Sequence, residues 1–144
     1  MQSLQQKKQL EKSEKNATLA SKDLFLDSCI WIGYFLGDTP KSKDIVESID
    51  KQVYSSILTI FEFSKTMKEK NIPNAIIANM LEIIEENSII ISPDKETVLT
   101  AAQNCLKYSL HSIDSILYSS SQIIDATFVT SDKHFSKTPN TIII

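Results

Sequence analysis

Apolar residues along this chain fall into short blocks that alternate between two periods. Leu24-Phe25-Leu26 is a brief apolar run that ends in Asp27, and Val53–Ser56, Ile89-Ile90-Ile91, Ala126–Thr130 and Thr141–Ile144 are runs of the same kind. Short runs of this type, rich in β-branched and aromatic residues and bounded by turn formers, predict buried strands. Between them the spacing becomes helical. Ser28 to Leu36 is apolar and aromatic up to the stop at Gly37-Asp38-Thr39-Pro40, and Lys41 to Asp50 sets Ile45, Val46 and Ile49 at helical spacing among charges. A helix is expected from about Leu58 to Lys70. Another opens at Pro73, where a missing N–H costs little, and runs to about Glu86 with Ile76, Ile77, Met80, Leu81 and Ile84 as its stripe. Asp94 caps a helix through Cys105 and Tyr108, and one more spans about Ile113 to Ile124. Strands alternating with helices, each strand apolar on both faces, predict an α/β fold, a three-layer α/β/α sandwich around a mainly parallel central sheet. No internal repeat is present.

Residues 1–22 do not share this pattern. They are Gln, Lys, Glu and Ser with scattered Leu and Ala, good helix formers without an apolar stripe, and predict a polar helical or mobile extension. Residues 23–144 then form the single folded domain.

Composition narrows the function classes. With 2 Gly and 4 Pro in 144 residues, collagen, low-complexity linkers and most all-β architectures are excluded. No apolar run approaches the ~18 residues of a membrane span, and the lysine-rich N-terminus does not resemble a signal peptide, so a cytoplasmic protein away from membranes is expected. Cys29 and Cys105 lie in apolar surroundings without ligand spacing and read as reduced core residues. Every basic side chain is lysine and the net charge is -3. Without the planar fork of arginine, base readout in duplex DNA is disfavoured, and bulk charge does not attract nucleic acid. A local acidic pocket that holds metal remains open.

Four carboxylates point to such a pocket. In open α/β sheets ligands sit beyond the carboxyl ends of the strands. Asp27 ends the first strand and Asp132 follows the Thr127–Thr130 strand, so both fall on that edge. Asp114 opens a helix, where the N-terminal partial charge favours an anion, and Glu62 lies early in the helix after Val53–Ser56. Four acids converging on one rim repel one another, and a divalent cation relieves this; oxygen ligands without His or Cys select Mg²⁺ or Mn²⁺.

The segments carrying these acids resemble the four signatures of PIN-domain ribonucleases: Leu24-Phe25-Leu26-Asp27-Ser28, Ser55 through Glu62, Ile113-Asp114-Ser115-Ile116-Leu117, and Phe128-Val129-Thr130-Ser131-Asp132-Lys133-His134-Phe135. Their order, spacing and the closing Thr-x-Asp-x-x-Phe carry the resemblance, which covers about Asp23 to Ile144. It departs at Tyr118-Ser119-Ser120-Ser121, where the family usually has an alanine-rich run. The resemblance implies a Mg²⁺- or Mn²⁺-dependent endoribonuclease, most often the VapC-like toxin of a VapBC toxin–antitoxin pair, with a small antitoxin protein as partner and a homodimer as its assembly. By position it implies Asp27, Glu62, Asp114 and Asp132 as catalytic and metal-binding acids, with Ser28 and Thr130 as polar supports. Glu62 is either a ligand or the group that orients water. In-line attack by water would leave a 5′-phosphate and a 3′-hydroxyl.

Other residues have plainer readings beside sharper ones. Asp27 alone also reads as a helix cap, and Asp132 as a turn residue. Asp125 marks a helix-to-strand turn. His111 reads as a cap near a helix start and His134 as a surface or RNA-proximal residue. Trp31, Tyr34 and Phe35 share a helical face that reads as core or dimer contact rather than a base-stacking platform, and Glu82, Glu85 and Glu86 as a solvated face. Lys65, Lys133 and Lys137 lie near the acids in sequence and could hold RNA phosphates. Two further readings accompany the toxin: a housekeeping PIN nuclease in ribosomal RNA maturation, and a non-catalytic PIN-like binding scaffold. A receiver-like phosphoacceptor domain is disfavoured, because Ser55-Ser56 stands where an acceptor aspartate belongs.

Overall fold

The computed structural model describes residues 4–9, 22–47 and 50–144. Residues 4–9 form a short exposed helix, α1; the remainder of the expected extension up to residue 21, and Ile49, lie outside the described residues. The elements that follow are β1 (Leu24–Leu26), α2 (Ser28–Leu36), α3 (Pro40–Val46), β2 (Val53–Ser56), α4 (Ile57–Glu69), α5 (Asn74–Asn87), β3 (Ile89–Ile91), α6 (Lys95–Tyr108), α7 (Ser112–Ile123), β4 (Thr127–Thr130), a 3₁₀ turn (Lys133–Phe135) and β5 (Thr141–Ile143). The five strands form one sheet in the order β3-β2-β1-β4-β5, and every neighbouring pair is parallel.

Strand alternation divides the core into two layers. Leu24, Leu26, Val53 and Val129 point to one face, where they meet Ile30 and Trp31 of α2, Phe63 and Met67 of α4, and Ile77 and Ile84 of α5. Phe25 and Phe128 point to the other, against Leu117 and Tyr118 of α7 and Phe135 of the 3₁₀ turn. The result is an α/β/α sandwich with β1 as the middle strand of its sheet. Trp31 is wholly buried and its indole Nε1 donates to Ser55 Oγ at 2.9 Å, so it is core and not dimer surface. Gly37 caps α2 with φ 70°, in the left-handed region. At Gly33 a side chain would meet Ser42 Oγ at 2.9 Å and Thr39 Oγ1 at 3.0 Å, so α3 crosses α2 there with no room for a methyl group.

Two local readings change. β3 is an edge strand, and Ile89 is 48% exposed rather than buried. In the stripe of α5, Ile77 and Ile84 are buried while Ile76 faces solvent. The Tyr118–Ser121 run packs inside, because each serine satisfies its own hydroxyl within the helix: Ser119 Oγ donates to the Ser115 carbonyl, Ser120 Oγ to Ile116 and Ser121 Oγ to Tyr118. Ser119 Oγ also accepts from Asn104 of α6 at 2.9 Å, which ties the two outer helices together.

Candidate active site

From β1 the chain steps outward through β2 to β3 on one side, and β4 and β5 lie on the other, so the sheet has its topological switch point between the ends of β1 and β4. Asp27 follows β1 directly. Its backbone N–H donates to the Val129 carbonyl at 2.9 Å, which fixes it against the end of β4. The residue caps α2 and is a site carboxylate at once: Oδ1 accepts the Ser28 N–H at 2.8 Å, and Oδ2 accepts the Thr130 hydroxyl at 2.8 Å. Only 4% of Asp27 is exposed. Burial raises its pKa above the ordinary aspartate value, while the bonds from Thr130, the Ser28 backbone and Cys29 pull the other way.

The other acids arrive on separate elements. Glu62 lies in the second turn of α4, a helix capped by Ser56 Oγ, which accepts the Leu58 N–H at 3.1 Å. Its Oε1 accepts from Ser28 Oγ at 3.1 Å, so one residue touches two acids. Burial first, then the charge of Asp27 and, more weakly, that of Asp114 push Glu62 up to about 6, against the Ser28 hydrogen bond and the smaller pull of Lys65. Asp114, in the first turn of α7, is likewise pushed up to about 6 by burial, Asp27 and Asp132, against His111 and His134. The helix terminus favours an anion there, yet burial and neighbouring acids outweigh it. The Asp132 N–H donates to the Thr130 hydroxyl oxygen at 3.0 Å, and the Asp132 side chain caps the 3₁₀ turn by accepting the His134 N–H at 2.9 Å. Asp27, Glu62, Asp114 and Asp132 thus occupy one electrostatic neighbourhood, with Ser28 and Thr130 between them.

The lysines form no ion pair with these acids, although Lys65 is close enough to lower the pKa of Glu62. Lys65 forms an exposed ion pair with Glu69 at 3.7 Å, and Lys133 and Lys137 are exposed. Asp125 adopts φ 53° at the turn before β4 and pairs with Lys22 at 3.0 Å. Glu82, Glu85 and Glu86 face solvent. Sequence reasoning missed two neighbours of the acids. Cys29 Sγ lies 3.5 Å from Asp27 Oδ2 and 3.5 Å from Thr130 Oγ1, and accepts the Ser131 N–H at 3.3 Å. His134 Nδ1 meets Asp132 Oδ1 at 2.6 Å; the Asp-x-His spacing was the available signal, since an Asx turn returns the third side chain to the first. His111 occupies the N-cap position of α7 but makes no capping bond with its side chain.

The donor set suits a hard divalent cation: buried and half-buried carboxylates raise one another's pKa, and among the described residues no lysine is ion-paired with Asp27, Glu62, Asp114 or Asp132. Among those residues, however, no three His, Cys, Asp or Glu side chains are grouped as a ready-made metal cage. The arrangement fits an ion that keeps several waters and meets the chain through one or two carboxylates, as Mg²⁺ commonly does.

A family model described as PIN domain matches residues 24–140. Among solved structures, the chain is similar to a toxin–antitoxin complex from Klebsiella pneumoniae, with a TM-score of 0.70 and 20% identity, covering 83% of this chain and 95% of that one. It is similar to VapBC2 from Rickettsia felis bound to a DNA fragment from their promoter, with a TM-score of 0.69, 16% identity and coverage of 84% and 96%. A third is the sarcin–ricin loop cleaving toxin VapC20 of Mycobacterium tuberculosis, with a TM-score of 0.67, 11% identity and coverage of 81% and 95%. At these identities the likeness is one of fold. No curated protein matches the chain significantly. Among the described residues no helix is long and apolar enough to cross a membrane.

Proposed function

The chain belongs to the PIN-domain family, and from that premise we propose that it is a metal-dependent endoribonuclease, the toxin of a toxin–antitoxin pair. The observation that carries the reading is the cluster of acids at the β1–β4 switch point, two of them pushed to about 6 by burial and by one another. Such mutual destabilisation is costly unless the site holds something positive. Toxins with this fold, among them a sarcin–ricin loop cleaving one, support the choice of RNA and of a small antitoxin partner.

One or two of Asp27, Asp114 and Asp132 would hold Mg²⁺ or Mn²⁺ directly, and the remaining acids would meet it through its waters. Such an ion, when bound, neutralises charge on the phosphate and makes water more acidic. The chain's own contribution is placement. Thr130 and the Ser28 N–H fix both oxygens of Asp27, so the carboxylate meets its ligand without searching rotamers. Glu62, steered by Ser28 Oγ, would either complete the ligand set or hold the attacking water and take its proton. In-line attack on phosphorus then leaves a 5′-phosphate and a 3′-hydroxyl. Incubation of structured and single-stranded RNAs with Mg²⁺ or Mn²⁺ tests this. Cleavage by the wild type and its loss in Asp27→Asn are expected; equal cleavage by both, or none by the wild type, defeats the reading.

A further inference from the structure

We propose that the outward face of α4 is a subsite for single-stranded RNA, where Phe61 stacks on an unpaired base and Lys68 holds a phosphate beside it. This rests on the endoribonuclease reading and adds to it a hold on the substrate outside the acidic centre.

Phe61 is the exception among the aromatic side chains. The chain has six Phe, four Tyr and one Trp, all within the described residues, and Phe61 alone is exposed, at 60%. Its place on the helix gives the reason. Successive residues turn ~100° about a helix axis. Thr59, Phe63 and Met67 are buried and mark the core side of α4, so Phe61 comes out on the opposite side, together with Lys68. Half-buried Glu62 lies on the flank between these sides, and Lys65 follows it round that flank toward Phe61. Going round the helix the order is thus Glu62, Lys65, Phe61 and Lys68, a path from the acidic centre onto the open face. There Phe61, Ser64, Lys65, Lys68 and Glu69 line an open hollow of about 340 Å³, within the size range of small-ligand sites.

The composition of this face selects its occupant. A partner helix or a second copy seeks apolar anchors on successive turns. After Ile57 and Phe61, however, the next positions along that line are Ser64, Lys65 and Lys68. One aromatic ring framed by lysines matches single-stranded nucleic acid instead, because every base offers a π-face to the ring and a cation holds the backbone beside it. Among the described residues Lys68 has no acidic partner within ion-pair distance. Lys65 pairs with Glu69 at 3.7 Å, so two lysines against one glutamate leave the hollow positive in a chain whose net charge is -3. A duplex keeps its bases stacked and offers none to Phe61, which restricts the subsite to an unpaired strand.

The test measures binding of a short fluorescein-labelled single-stranded RNA by anisotropy, in an Asp27→Asn background that leaves the RNA uncut. One lost stack predicts that Phe61→Ala weakens binding about tenfold. Phe61→Trp should keep the affinity, and Phe61→Leu, apolar but without a π-face, should lose it. Lys68→Ala should weaken binding a few-fold and lower the salt slope by roughly 0.7. Among copies of the RNA with one abasic nucleotide, one should bind the Phe61 protein as weakly as the intact RNA binds Phe61→Ala, and lose nothing more with Phe61→Ala. In the cleaving protein Phe61→Ala should raise KM and leave kcat unchanged. Unchanged RNA affinity in Phe61→Ala overturns the proposal and leaves the nuclease reading intact; if that variant also turns a dimer into a monomer, the face belongs to a second copy. Abasic and Phe61→Ala losses that add at every position overturn it as well. A wild type that cleaves no RNA defeats the nuclease reading, whereas the binding measurements still decide the subsite.

Discussion

The Thr130 hydroxyl donates to Asp27 Oδ2 at 2.8 Å, joining residues 103 apart in sequence, and the same oxygen accepts the Asp132 N–H at 3.0 Å. One side chain therefore sets the orientation of one acid and the backbone position of another, at the point where β1 and β4 end. Thr130→Val keeps the shape and removes the hydroxyl, leaving a buried carboxylate oxygen short of a donor. Such a loss costs roughly 1–3 kcal/mol. We expect reduced stability, weaker cation binding and a fall in RNA cleavage of about tenfold or more, with Thr130→Ser restoring most of each. Unchanged metal titration and unchanged activity in Thr130→Val would show that Asp27 is placed without it.

Asp114 gives the complementary case, because its carboxylate is pushed up by Asp27 and Asp132 as well as by burial. Asp114→Asn removes that repulsion. Calorimetric titration with Mn²⁺ should show severely weakened binding, while the melting temperature in EDTA should rise by a few degrees, as for roughly 1 kcal/mol in a domain of this size. Equal Mn²⁺ binding by mutant and wild type would remove Asp114 from the metal site.

Much of this arrangement is legible in the sequence, for a physical reason. A strand buried on both faces must be apolar throughout, so a carboxylate at its end marks the rim of the sheet; Asp27 after Leu24–Leu26 and Asp132 after Thr127–Thr130 are of this kind. Helices between the first four strands point to a parallel sheet, while β4 returns to β5 through the 3₁₀ turn alone. What escaped depends on contacts that periodicity does not encode. Ile89 belongs to a run that reads as buried, but only the strand order places β3 at the edge. Nothing in Tyr118–Ser121 announces that its serines bond back to their own helix. Cys29 joins the acids from the first turn of α2 and His134 from the 3₁₀ turn, where a one-residue difference in phase would have turned either away.

The raised carboxylates also set a pH dependence. Glu62 and Asp114 sit at about 6 when folded, against ordinary values of 4.5 and 3.8, and Asp27 is raised as well. Between the unfolded and folded values the folded chain binds more protons, so stability falls as pH rises through roughly 4 to 6 and then levels. Melting in EDTA should therefore be higher near pH 5.5 than near pH 7.5. Added Mg²⁺ should raise it more at the higher pH, where no proton competes for the carboxylates. A melting temperature in EDTA that climbs steadily between those pH values would contradict the assigned repulsion.

The outer surface bears on assembly. Trp31 is buried, but Phe61, Leu99 and Leu106 present large apolar side chains to solvent, Leu106 at 85% exposure. Covering such groups favours association. Sedimentation at micromolar concentration should give a species of twice the chain mass, and a purely monomeric profile would exclude the homodimer.

Substrate affinity should be modest and weakly salt-dependent. The net charge is -3 and the lysines nearest the acids are exposed, with Lys65 already paired to Glu69. Few phosphates can be neutralised, and each contact on single-stranded RNA contributes a slope of roughly 0.7. Replacing Lys133 and Lys137 with alanine should raise KM, lower that slope by about one contact per lysine, and leave Mn²⁺ titration unchanged, because neither side chain is ion-paired with the acids. If KM and salt slope both stay at wild-type values, the RNA backbone does not run past Lys133 and Lys137, and its path crosses the partner protomer or the α4 face that carries Lys65.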